Sequence, residues 1–364
     1  MTWRLAGALI LLAGTSLRGA DDTQCLTCHQ EKQEQFAGSV HAAVGCTGCH
    51  SQLGGIPHAE SVPSVNCAGC HADQGAALNG SVHKKVGEQP CLSCHGDAHG
   101  IVPVKDSHSP VYALNLPRTC GECHGGKQVS TQKRRANIYS AYLDSIHGFA
   151  LTKDGLLVAA TCSSCHGAHD ILAPTNPKSR IYKTNVPDTC GSCHEGIAQQ
   201  YKAGAHGKAL AAGNQQAPVC TSCHTAHQIA GVRDVSFQEK TPATCGGCHR
   251  ERYGTYRDTF HGHVSALGYV EVAHCWDCHS AHEVLPASDA KSTVARGNLI
   301  GTCGKCHTGV SASFVSYSPH ADPNNGRKYP ALHVASIFMN FLLSGVLGFF
   351  TLHTALWFIR SRKK

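Results

Sequence analysis

Cys-x-x-Cys-His occurs eleven times in this chain, beginning at Cys25, Cys46, Cys67, Cys91, Cys120, Cys162, Cys190, Cys220, Cys245, Cys275 and Cys303. The second cysteine of each copy is Cys28, Cys49, Cys70, Cys94, Cys123, Cys165, Cys193, Cys223, Cys248, Cys278 and Cys306. The copies consume all 22 cysteines, so no thiol remains for a disulfide or a nucleophile. Cys-x-x-Cys pairs also bind zinc. A structural zinc site, however, joins two pairs at fixed spacing and has no use for a histidine behind every second cysteine. The five-residue motif is the attachment signature of a c-type haem. The two thiols form thioethers with the macrocycle, and the adjacent histidine lies under the iron. Those proximal histidines are His29, His50, His71, His95, His124, His166, His194, His224, His249, His279 and His307.

Eleven covalent haems spread over 364 residues leave the chain little need of a core of its own. Aromatic residues make up 6% of it, and glycine is frequent, with 38 residues. The expected fold is mainly irregular coil with short α-helices packed around the haems, little or no β-sheet, and one C-terminal transmembrane helix. The formal charge of +7 would suggest nucleic acid or an anionic membrane surface. Two propionates per haem reverse that balance, so the basic side chains are read as propionate partners and nucleic acid is excluded.

A second set of histidines keeps register with the first. In one kind of unit the follower comes about a dozen residues after the proximal histidine: His29 to His41, His71 to His83, His194 to His206, His249 to His261, His307 to His320, and, with an insertion, His124 to His147. In the other it is close: His50 to His58, His95 to His99, His166 to His169, His224 to His227, His279 to His282. Long and short units alternate as a tandem repeat. The eleven followers equal the demand for sixth iron ligands. His58 is the least regular, and His108 is a substitute for it or for His99. The only methionines are Met1 and Met339, which leaves no Met/His ligation to raise the potentials. Bis-histidine, low-potential haems follow, and such irons carry electrons rather than bind substrates. A close follower cannot ligate the haem just before it, because three extended residues reach only about 10 Å. His169, His227 and His282 are therefore expected to cross to another haem, which the sequence does not specify. The stretches Glu195–Ala205 and Arg250–Phe260 lack proline and predict short helices carrying His206 and His261 at their far ends, about 18 Å away.

The two ends read differently. Residues 1–20 look like a secretory signal, with Arg4 before the apolar run Leu5–Ala13. Residues 21–320 form the undecahaem domain and 321–330 a polar linker. Residues 331–359 carry no acid or base other than histidine and are long enough to span a bilayer. Residues 360–364 include Arg360, Arg362, Lys363 and Lys364, a basic tail that the positive-inside rule places in the cytoplasm. The haem domain would then face the periplasm from a single-pass anchor in the inner membrane. His333 and His353 lie within the span. Intramembrane ionisable residues point to function, here a b-type haem shared with a partner or a quinone site.

With its alternating followers, the stretch Thr23 to His320 resembles the periplasmic multihaem cytochromes c of anaerobic and metal respiration, of the doubled-Cys-x-x-Cys-His and decahaem electron-transfer type. That resemblance implies a haem wire with bis-histidine irons. This chain departs from it in having an eleventh motif. Small membrane-bound quinol-oxidising cytochromes c also carry an N-terminal anchor, whereas this one is C-terminal. Leu352-His353-Thr354-Ala355-Leu356-Trp357-Phe358 is similar to a helix end of a bacterial di-haem membrane cytochrome b, which implies a neighbouring cytochrome b subunit. The expected function is that of an electron carrier, or of a subunit of a quinol-oxidising complex, rather than of a substrate-converting enzyme. It would relay electrons from the quinol pool, through a cytochrome b or quinone-reactive partner, to periplasmic acceptors in anaerobic respiration. The alternatives are a multihaem reductase or oxidase of a small nitrogen or sulfur compound with one open iron, or an extracellular filament cytochrome.

Overall fold

Each Cys-x-x-Cys-His motif closes on itself as a turn of helix. In the motifs beginning at Cys25, Cys67, Cys190 and Cys303, for example, the histidine N–H donates to the carbonyl of the first cysteine at 2.9–3.0 Å. Residues three apart in such a turn share a face, so the two thiols of a motif project side by side. These turns stand alone, as in Cys162–His166, Cys220–His224 and Cys275–His279, or end longer helices, as in Leu116–His124 and Val235–Gly246. The computed structural model describes residues 22–53, 55–125 and 137–362. The expected signal segment and the end of the basic tail, Lys363 and Lys364, lie outside them.

Among the described residues the chain is helix, turn and loop, without a strand. The expected fold class is the one observed. The apolar core is small, with Leu151, Val186, Leu210, Val219 and Leu285 among its buried members. Polar bonds that recur from repeat to repeat do much of the positioning instead. Two compact units divide the chain: residues 1–189 with 226–229, and residues 190–225 with 230–364.

The loops before three long motifs are braced alike. The side-chain amide of Asn115 donates to the carbonyls of Ser107 and Ser109, that of Asn185 to Pro177 and Ser179, and that of Asn298 to Ala290 and Ser292, all at 2.7–2.9 Å. The threonine before the first cysteine then reaches back nine residues. Thr119, Thr189 and Thr302 each donate a hydroxyl hydrogen at 2.6 Å to Pro110, Arg180 and Thr293 respectively. A loop closed at both ends in this way aims the motif that follows it.

The helices predicted to end at His206 and His261 break earlier. Glu195–Ala203 stops, and a second helix, Ala205–Ala211, begins; Arg250–Arg257 is likewise followed by Phe260–Ala266. The physical reason is an extended residue at the junction, Gly204 (φ −75°, ψ 169°) or Thr259 (φ −84°, ψ 162°). Each follower therefore sits in the first turn of a new helix, not at the end of an old one. The C-terminal helix Pro330–Ser361 has 32 residues, a mean hydropathy of 1.8 over its most apolar window and none of that window buried. It is long and apolar enough to cross a membrane, which supports membrane anchoring.

Candidate haem sites

Four local features recur, in different combinations, among the long-unit followers other than His320. A serine or threonine two residues before the follower is buried: Ser39, Ser81, Ser145 and Thr259. Its hydroxyl accepts a backbone N–H of the coming turn, from His41, His83, Gly148 and Gly262 respectively, at 3.0–3.1 Å. The intervening residue is stapled to the segment behind a short follower. Val40 donates its N–H to the Ile101 carbonyl, Val82 to Ile171, Ile146 to Ile229 and Ala205 to Val284, at 2.7–2.9 Å. A tyrosine five residues before the follower pins its helix to the next short motif. Tyr142, Tyr201 and Tyr256 donate their hydroxyl hydrogens to the carbonyls of Ala160, Pro218 and Ala273 at 2.8–3.0 Å. Finally, Gly207 follows His206 where any Cβ would strike the Tyr201 carbonyl, and Gly148 and Gly262 repeat the arrangement. At Gly204 the serine is absent because segment 282–284 passes too close for a side chain.

Short followers are carried differently. After the proximal histidine the backbone reverses at a residue of positive φ: Gly96 (φ 83°), Gly167 (φ 85°), Thr225 (φ 63°) and Ser280 (φ 66°). His99 then lies in a single 3-10 turn, and His169, His227 and His282 lie in bends.

The result is a series of histidine rings facing one another across a constant gap. In the first unit the pairs are His29 with His58, His71 with His41, His50 with His99, His124 with His83, His95 with His169 and His166 with His227, with ring centres 5.8–6.2 Å apart. In the second unit they are His249 with His206, His224 with His282, His307 with His261 and His279 with His320, at 5.9–6.2 Å. The remaining members of the two sets, His194 and His147, both make contacts as well. Metal–imidazole bonds are about 2 Å long, so two rings on opposite faces of one iron stand about 6 Å apart, centre to centre. The gap fits that group.

The pairing follows a rule absent from the sequence reading. Within each compact unit, a long-type proximal histidine faces the follower of the previous long repeat, and a short-type one faces the follower of the next short repeat. His169, His227 and His282 lie opposite His95, His166 and His224, away from the motifs they follow. The long followers cross too, which spacing alone did not reveal. The available signal was the Ser-x-His or Thr-x-His text at Ser39, Ser81, Ser145, Thr259 and Ser318. At the ends the two series close on each other: His29, with no earlier long unit, faces His58, and His279, with no later short unit, faces His320.

Burial holds the imidazoles of His50, His83, His95, His166, His206, His224, His261, His279 and His320 below their ordinary pKa, and the facing or neighbouring histidines add to it. That favours the neutral form a metal ligand requires. The second ring nitrogen is engaged at several of these sites: Nδ1 of His99 lies 3.3 Å from an Asp97 carboxylate oxygen and that of His29 lies 3.8 Å from one of Glu31. Nδ1–H of His58 donates to the Ala59 carbonyl at 2.7 Å, and Nδ1 of His320 lies 2.9 Å from the Thr255 hydroxyl.

The motifs themselves are neighbours. The Cys120 and Cys162 thiols hydrogen-bond, which pushes Cys120 up and holds Cys162 down. Hydrogen bonds to Cys190 and to Cys275 lower Cys220 and Cys245 to about 7. Burial raises Cys46 to about 11, with Asp22 and Cys25 contributing. In each case the first cysteine of a long motif faces the first cysteine of the next short one. Among the described residues no group of three or more His, Cys, Asp or Glu side chains forms a metal-ion cage.

The spare histidines do not join these pairs. His108, offered as a substitute for His58 or His99, has a side chain 87% exposed and bonded to Asp106 at 2.8 Å. His274 is buried, stacked on Trp276 and beside Asp277. His263 lines an open cleft with Arg257 and Asp258. His333 donates Nδ1–H to the Pro323 carbonyl at 2.7 Å, and His353 is exposed on the apolar helix beside Phe349.

The family model described as outer membrane cytochrome MtrC/MtrF-like, domains II/IV, matches residues 83–236. No curated protein and no solved structure matches the chain. The match supports a multihaem cytochrome c and, with the 22 cysteines, c-type haem as the cofactor.

Proposed function

We propose that this chain is a membrane-anchored undecahaem cytochrome c that takes electrons from the quinol pool through a cytochrome b or quinone-reactive partner. It passes them along bis-histidine haems to periplasmic acceptors in anaerobic respiration. Covalent haem supplies the one-electron redox centre at each site. The chain's own part is to fix it through two thiols, hold a neutral imidazole on either side and leave no position open to substrate. The observation that carries this reading is the set of facing histidine pairs at one spacing along consecutive motifs. His147 and His194 complete two sets of eleven ligands.

Neighbouring sites are close. The imidazole of His166 feels those of His124 and His83, and His95 feels His71. Close spacing of redox groups is what electron hopping requires. The anchor supports the membrane side of the proposal: an apolar helix of 32 residues with Arg360 in its last turn and Arg362 just beyond suits a haem domain outside and a basic tail inside the inner membrane.

Carbon monoxide tests the carrier role directly. The reduced holoprotein, carrying eleven haems by mass, is expected to bind none. Stoichiometric binding at one iron would favour the reductase or oxidase alternative. Quinol-charged membranes should reduce the anchored protein, and failure to do so would remove the cytochrome b partner. A second destination, an acceptor beyond the outer membrane, is favoured by the match of residues 83–236 to a model of outer-membrane cytochromes.

A further inference from the structure

We infer that the backbone carrying each follower histidine sets the angle between the two imidazole planes that face each other, and so sorts the sites into two electronic classes. This rests on the reading of the facing pairs as axial ligands. The ring planes divide by follower. Opposite short followers the planes are nearly parallel: 11° at His58, 15° at His99, 10° at His169, 3° at His227 and 18° at His282. Opposite long followers they are open: 70° at His41, 83° at His83, 38° at His206, 48° at His261 and 37° at His320.

The two ends of the series separate follower from motif. His29 belongs to a long-type motif but faces a short follower, and its pair is parallel. His279 belongs to a short-type motif but faces a long follower, and its pair is open. The angle therefore tracks the follower and not the proximal histidine. The cause lies in the carriers already described. His41 and His83 each follow a buried serine, with the N–H between stapled to another segment; His206 follows the stapled Ala205, His261 follows the buried Thr259, and His320 is held at Nδ1 beside Thr255. A close short follower leaves a positive-φ reversal and lies in a bend or a single 3-10 turn.

Ring orientation matters because an imidazole donates π density to the iron d orbital perpendicular to its own plane. Parallel rings address one orbital and split the two dπ levels widely. As the angle opens, both orbitals are addressed and the splitting shrinks. In oxidised low-spin iron a wide splitting gives a rhombic resonance with three resolved g values, and a small one gives a single feature at large g. The two classes also lie side by side. His95 (10°) neighbours His71 (70°), and His166 (3°) neighbours His124 (83°).

Electron paramagnetic resonance of the oxidised full-length holoprotein tests this. Rhombic signals from the short-follower sites are expected beside a large-g signal arising at least from the His71 and His124 sites. A spectrum in which all low-spin iron is of one class overturns the inference and leaves bis-histidine ligation standing. High-spin iron in the unaltered protein would sink the ligation reading itself. Two variants assign the signals. His83→Ala should diminish the large-g feature alone, and His227→Ala the rhombic set alone; the reverse loss overturns the inference. If either variant fails to load haem, the spectrum of the unaltered protein still decides.

Discussion

Nδ1 of His320 lies 2.9 Å from Oγ1 of Thr255, a residue 6% exposed on the helix Arg250–Arg257. The Thr255 hydroxyl hydrogen has the Arg252 carbonyl, 3.1 Å away, as an acceptor. Its oxygen is then free to accept from the ring. A His320 that ligates through Nε2 at the site shared with His279 carries its proton on Nδ1, and the Thr255 oxygen is placed to receive it. Outer contacts of this kind set ligand orientation and basicity. Thr255→Val keeps the shape and removes the acceptor. A less electron-rich imidazole stabilises oxidised iron less, so the potential of one haem should rise by about 40 mV, the one-electron equivalent of a hydrogen bond worth about 1 kcal/mol. Spectropotentiometry should show the other haems unmoved and Thr255→Ser restoring the original value.

The reversal behind the short motifs stores strain. Thr225 (φ 63°, ψ −172°) and Ser280 (φ 66°, ψ 160°) occupy a backbone region that glycine alone enters freely. Gly96 and Gly167 hold the equivalent places. Thr225 is β-branched, the least suited of the four. Thr225→Gly should relieve about 1–3 kcal/mol of strain, less about 0.5–1 kcal/mol for the added freedom of the unfolded chain. A net gain of about 1 kcal/mol is expected, read as a higher thermal midpoint of the holoprotein. A lower midpoint would mean that the Thr225 side chain contributes more than its backbone costs.

Composition and motif text sufficed for the fold class, because eleven attachment turns and a thin supply of core residues leave room for little else. The crossing of the close followers was also legible, since it follows from chain reach. The pairing rule was not. Which proximal histidine faces His41 or His206 depends on staples such as Val40 to Ile101 and Ala205 to Val284, made between segments some 60 to 80 residues apart. Neither the broken helix at Gly204 nor that at Thr259 showed in hydrophobic periodicity. Both breaks are imposed by contacts made there, with segment 282–284 at Gly204 and with the Tyr256 carbonyl at Thr259.

His58 and His108 separate the irregular first short unit from its rival. The ring of His58 faces His29 at 5.8 Å with the planes 11° apart, and its Nδ1 is committed to the Ala59 carbonyl. His108 is solvent-facing on Asp106. His58→Ala should turn one iron high-spin and open it to carbon monoxide, whereas His108→Ala should leave both the spectrum and carbon monoxide binding unchanged. Equal effects of the two substitutions would mean that His108 takes over as ligand.

Two glycines in successive helices make a matched test of how the followers are held. Gly207 lies where a Cβ would collide with the Tyr201 carbonyl and the Lys202 backbone, the atoms that end one helix as the next begins. Backbone atoms cannot swing aside as a side-chain tip can. Gly207→Ala should therefore cost about 2 kcal/mol or more and displace His206 from His249, so that high-spin iron appears. Gly196, in the first turn of Glu195–Ala203, has open space where its Cβ would be. There alanine only restricts the unfolded chain, and Gly196→Ala should stabilise by about 0.5–1 kcal/mol with an unchanged spectrum. Thermal melts read the first difference and electron paramagnetic resonance the second. Loss of low-spin iron in Gly207→Ala but not in Gly196→Ala would place the fault at the start of the follower's helix.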